Sequence, residues 1–130
     1  MPITIAWLDH TQHILLETLE GLWSLEDYAT VVASSLEMIG NTQERVDYIS
    51  DVSNATISGS VLLSMPKIFK TTAPRHELNV GSHIIVGGSP MVEHMVGIYH
   101  NIFERRDYLL TTAPTIDAAL ELIRSDRLFV

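Results

Sequence analysis

Short apolar, β-prone runs alternate along this chain with longer segments in which apolar residues recur every three or four positions, the pattern of strands followed by amphipathic helices. Ile3 to Leu8 and His13 to Leu19 are runs of the first kind, and the turn residues Asp9-His10-Thr11-Gln12 between them predict a hairpin. Ser24 precedes Leu25, with Asp27 three positions on, a variant of the capping box whose carboxylate also suits the positive end of a helix. Leu25, Tyr28, Ala29, Val32, Leu36 and Ile39 fall on one helical face, and Gly40-Asn41 supplies a left-handed stop, so a first helix is predicted from Leu25 to Ile39.

Val46 to Val52 reads as a third strand that ends in a turn at Asp51-Val52-Ser53-Asn54, whose side chains compete for backbone hydrogen bonds. Ser58-Gly59-Ser60 opens a second helix carrying Val61, Leu62, Met65 and Phe69, which Pro66 should kink or end. His83 to Val86 forms a fourth strand, and Gly87-Gly88-Ser89-Pro90 turns it into a third helix, with Ser89 at the cap and Pro90 at the first helical position. Tyr108 to Thr111 gives a fifth strand, Thr115 caps a last helix that turns Ala118, Ala119, Leu122 and Ile123 to the sheet, and Leu128-Phe129-Val130 is expected to dock. The order β-β-α-β-α-β-α-β-α implies one α/β domain over residues 1–130, a mostly parallel sheet with an antiparallel hairpin at its edge.

Composition narrows the functional classes. At 130 residues, with 46% hydrophobic and 18% charged residues, the chain can bury one core. Eight Lys and Arg against sixteen Asp and Glu give a net charge of −8, which repels nucleic acid and anionic lipid surfaces. The absence of Cys excludes disulfides, thiolate catalysis and Cys-ligated metals. Without a basic, apolar leader at Met1-Pro2-Ile3-Thr4 or a spanning apolar stretch, the expectation is a cytoplasmic protein with no membrane span.

Several phrases together resemble the STAS family, the domain of anti-sigma factor antagonists, and in particular its SpoIIAA-like relatives. They are Gly21 to Tyr28 at the first helix, Tyr48 to Ser53 on the third strand, Ile85 to Pro90 at the third helix, and Tyr108 to Leu120 with its paired alanines. The resemblance spans nearly the whole chain and implies a regulatory, protein-binding domain without an enzymatic activity or a cofactor. Its best-known members bind an anti-sigma kinase and are switched by phosphorylation at the start of the second helix. Here that segment reads Thr56-Ile57-Ser58-Gly59, so Ile57 stands at the phosphoacceptor position. Ser58 and Ser60 remain as acceptors or, more simply, as helix caps. A partner surface is thus expected around Asp51, Ser53, Ser58, Gly59 and Ser60.

Other residues carry weaker signals. Gly87, Gly88 and Ser89 form a turn able to cradle an anion at a helix start, although a tight strand-to-helix connection explains them equally and no Lys completes a P-loop. Met91, Met95, Tyr99 and Phe103, with their apolar neighbours, cover more than one face of the third helix, which suits a partner surface, a homodimer contact, a pocket for a small apolar ligand or lipid, or ordinary core packing. Lys67, Lys70, Arg75 and His76 are a basic stretch in an acidic chain. His10 and His13 flank the hairpin turn without a third metal ligand. A hydrolase set could be drawn from Ser58, His83 and Asp51, but no nucleophile elbow supports it.

Overall fold

The computed structural model describes residues 2–9, 13–40, 42–56, 58–64, 67, 80–90, 92–94, 96–97 and 109–128. Its strands are β1 (Ile3–Asp9), β2 (Ile14–Leu22), β3 (Val46–Thr56), β4 (Val80–Val86) and β5 (Leu109–Ala113). The helices are α1 (Leu25–Gly40), α2 (Gly59–Leu63), α3 (residues 90, 92–94 and 96–97) and α4 (Ile116–Leu128). The predicted α/β order is the observed one. The strands lie side by side in chain order, β1 antiparallel to β2 and every other pair parallel.

Alternation along the strands divides the core in two. Leu15 and Leu19 of β2, Tyr48 of β3 and Ile85 of β4 point to one face. There they meet Tyr28, Val31, Val32 and Ile39 of α1, Val61 of α2, and Val92 and Val96 of α3. Ile14, Ile49, Ile84 and Val86 point to the other face and meet Ala113, Ala119 and Ile123 of β5 and α4. Every residue of β4 is buried, as expected for a central parallel strand covered on both sides. Ile49 and Ile84 are wholly buried, each stabilising the fold by about 2 kcal/mol.

Local chemistry sets the element ends. The backbone N–H of Ser24 donates to Asp27 Oδ2 at 3.0 Å and that of Asp27 to Ser24 Oγ at 3.1 Å, so the box at the start of α1 closes reciprocally. Ser89 accepts from the Val92 N–H at 3.3 Å and Thr115 from the Ala118 N–H at 3.1 Å, capping α3 and α4. His13 closes the hairpin in the left-handed region at φ 56°.

Four expectations need correction. The turn at Asp51 to Asn54 is instead strand: β3 runs on to Thr56 because β2 also runs on to Leu22, pairing Glu20, Gly21 and Leu22 with Asn54, Ala55 and Thr56 past a register shift. On α1, Ala29 is exposed and Val31 takes the buried position. Leu122 is 38% exposed, because the inward stripe of α4 is only Ala119 and Ile123, four residues apart. Leu128 does not dock and is 81% exposed. Met65, Pro66, Phe69, His10 and Tyr108 lie outside the described residues.

Candidate binding site

Parallel strands end together, so the C-terminal ends of β3, β4 and β5 fall at one end of the sheet, where open α/β sheets place their ligands. Gly87 follows β4 with φ 74°, and a Cβ there would lie 2.2 Å from Ser53 Oγ and 2.9 Å from Ser53 Cα. Only glycine allows this approach, which brings the β4–α3 turn directly against β3. The Gly87 N–H donates to the Ala113 carbonyl at 3.2 Å, tying in β5. Ser53 is held in turn, its N–H and Oγ–H both donating to Asp51 Oδ1 at 3.0 and 2.6 Å.

Asp51, Ser53 and Gly87 to Ser89 are therefore one cluster, with Ser53, Gly87 and Ser89 exposed and Asp51 and Gly88 half-buried. Ser58, Gly59 and Ser60 follow the end of β3 and form their own group. Ser58 Oγ accepts from the Val61 N–H at 3.3 Å, capping α2, and lies 3.0 Å from Ser60 Oγ. Leu22, paired with Thr56 at the end of β2, is 68% exposed, and Leu63 at the end of α2 is 87% exposed. Met91, Met95, Tyr99 and Phe103, proposed for an interface or pocket, lie outside the described residues, as do Lys70, Arg75, His76 and His100.

Two buried polar groups escaped the sequence reading. Glu17, 1% exposed, sits mid-strand on β2 between Leu15 and Leu19 and shares their inward face. Tyr48 OH donates to its Oε2 at 2.5 Å and Ser50 Oγ donates to its Oε1 at 3.2 Å. Ser50 Oγ also lies 2.7 Å from His83 Nε2. A hydroxyl has one proton, so while the Ser50 O–H points to Glu17 its oxygen can accept from His83 only in the tautomer that carries hydrogen on Nε2. The Tyr48 and His83 rings meet edge to face, centroids 4.9 Å apart.

On the opposite face Asp47, fully buried, anchors β3 to the C-terminal helix. Its Oδ1 accepts from Arg45 Nε and Nη2, both at 3.0 Å, and from Ser82 Oγ at 2.6 Å; its Oδ2 accepts from Arg127 Nε at 2.6 Å. Arg45 also pairs with Asp126 and lies over Gly81, where a Cβ would collide with its guanidinium. Burial lowers the Arg45 pKa, but hydrogen bonds and charge from Asp126 and Asp47 outweigh it, so the net shift is upward.

The three residues of the candidate hydrolase set stand apart. Asp51 lies on the sheet face opposite His83 and is occupied with Ser53, while Ser58 is occupied with Val61 and Ser60, so the set Ser58, His83 and Asp51 does not assemble. Among the described residues no three His, Asp or Glu side chains gather as a metal site. None of the described helices is long and apolar enough to cross a membrane.

No protein-family model matches the chain, and no curated protein matches it in sequence. Solved structures do. A Shewanella loihica PV-4 protein of the DUF3478 family with a SpoIIAA-like fold aligns with a TM-score of 0.62 at 13% identity, over 92% of this chain and 90% of its own. A variant of RsbS from Moorella thermoacetica aligns with a TM-score of 0.58 at 12% identity, over 96% of this chain and 97% of its own. These two likenesses establish that the chain has the SpoIIAA-like fold. The unphosphorylated anti-sigma factor antagonist SpoIIAA aligns at 14% identity over 94% and 97% with a TM-score of 0.49, too loose to add to this.

Proposed function

We propose that this domain acts by binding a protein partner, as a regulatory module and not as an enzyme, and that it presents the end of the sheet where β3, β4 and α2 meet. The observation that carries the reading is the close approach of Ser53 and Gly87, which draws Asp51, Ser53 and Gly87 to Ser89 into one polar cluster whose Ser53, Gly87 and Ser89 are exposed. Exposed Leu22 and Leu63, at the ends of β2 and α2, add apolar anchors, the mixture that protein interfaces use. The STAS-like phrases and the SpoIIAA-like fold support the regulatory character.

The test compares what the wild-type domain, Leu22→Glu, Ser53→Arg and Leu122→Glu retain from the native cell extract, with circular dichroism to verify folding. The reading expects a discrete partner held by the wild type and by the α4 variant Leu122→Glu but lost from Leu22→Glu and Ser53→Arg. Equal retention by all four proteins, or loss only from Leu122→Glu, would overturn it.

A further inference from the structure

One buried side-chain polar atom among the described residues has no hydrogen-bond partner: Nε1 of Trp23, a residue 9% exposed. Buried indoles normally donate, because a desolvated N–H left unpaired destabilises the folded chain. Packing explains the ring and not the N–H. Trp23 precedes the Ser24 cap of α1 and lies against Tyr28, ring centroids 5.7 Å apart, the staple that sets how a chain enters a helix. An all-carbon ring would do the same without the stranded donor.

β2 is parallel to β3, so the end of β2, with Gly21, Leu22 and then Trp23, falls at the same end of the sheet as Ser53 and Gly87. Open α/β sheets take their ligands at this end. Leu22 is 68% exposed, and a Cβ on Gly21 would meet no atom within 4 Å, so the backbone leading into Trp23 borders open space. An indole only donates and therefore calls for an acceptor. Glu26 and Asp27 in the first turn of α1, in a chain of net charge −8, repel a carboxylate or a phosphate. The acceptor that fits is the oxygen of an uncharged peptide group.

We infer that the Trp23 indole N–H is a recognition donor, completed by a backbone carbonyl oxygen of a protein partner whose chain packs over Leu22. The inference rests on the binding surface proposed above and adds to it a hydrogen bond at the end of β2. The N–H is covered in the free chain, so neighbouring side chains move aside as the partner docks, a rotamer change of the kind interfaces commonly show. Folding has already taken the N–H out of water. The bond formed on docking therefore gains more than one from an exposed donor, which first gives up its own water.

One measurement needs no partner. In 15N-labelled protein the indole N–H signal of Trp23 is followed while N-methylacetamide, a probe for the peptide carbonyl, is titrated in. Sodium acetate is the anionic counterpart, and Trp7→Phe assigns the signal. N-methylacetamide is expected to move the Trp23 proton downfield along a saturating curve, and acetate to leave it in place. A proton that neither compound moves, or that acetate moves as far, would overturn the inference, as would a cross-peak to bound water in the ligand-free protein. Replacing Trp23 by β-(3-benzothienyl)alanine keeps both fused rings and removes only the N–H. That protein should unfold in urea at the wild-type midpoint or above it, and bind the partner retained by the wild type about tenfold more weakly. A lower midpoint would reveal an acceptor in the free chain and overturn the inference. Wild-type affinity in this protein, with weakened binding in Leu22→Glu and Ser53→Arg, overturns the inference alone; wild-type affinity in all three overturns the surface it rests on as well.

Discussion

Replacing Ser50 by Ala removes one oxygen from between two buried partners. Ser50 is 4% exposed, Glu17 1% and His83 5%, so water cannot easily take its place. Glu17 Oε1 loses the donor at 3.2 Å, and His83 Nε2 loses the acceptor at 2.7 Å. A hydrogen bond to a charged group contributes about 1.5–3 kcal/mol and a stranded buried donor costs about 1–3 kcal/mol, so a loss near 3 kcal/mol is expected. In urea that lowers the midpoint by about 1.5 M, and in a thermal scan it lowers Tm by about 10 °C. Tyr48→Phe acts on the other oxygen of the same carboxylate, at 2.5 Å. The two substitutions should therefore fail to add, with a coupling above about 0.5 kcal/mol. A Ser50→Ala protein within about 1 kcal/mol of wild type, or strict additivity with Tyr48→Phe, would refute the single-proton bridge described for this cluster.

The opposite face makes a matching prediction: Asp47→Asn leaves Arg45 and Arg127 facing a neutral group and should cost about 3 kcal/mol, with amides of α4 exchanging faster before those of β3. Gly87→Ala places a methyl group into Ser53 at a left-handed backbone position; denaturant unfolding should show a loss of about 2 kcal/mol or more, and the amides of Ser53 and Gly87 should shift together in NMR spectra. Ser24→Ala opens the capping box of α1 and should lower stability by about 1 kcal/mol, recovered in large part by Ser24→Asp.

The architecture was legible because periodicity carries it. The switch between two-residue and three-to-four-residue spacing, with caps at Ser24, Ser89 and Thr115, placed the elements in their observed order. Asp51 to Asn54 misled because those side chains favour turns, while the ladder with Glu20 to Leu22 imposes strand; cross-strand pairing outweighs local preference. Glu17 left a readable sign, a carboxylate in phase with Leu15 and Leu19, which in a strand means burial and a need for partners. Asp47 left less, since Arg127 lies 80 residues away and no spacing links the two. The meeting of Ser53 with Gly87 also depends on the register of β3 with β4, which single-strand patterns do not contain.

The most direct measurement is the affinity of the retained partner, titrated calorimetrically against the wild type, Leu22→Glu, Ser53→Arg and Leu122→Glu. A binding surface at the ends of β3 and β4 predicts affinity at least about tenfold weaker for the first two variants, because interface centres concentrate the energy, and an unchanged value for the α4 variant. Wild-type affinity in Leu22→Glu and Ser53→Arg, with weakened binding in Leu122→Glu, would contradict it and move the surface to the other face of the sheet.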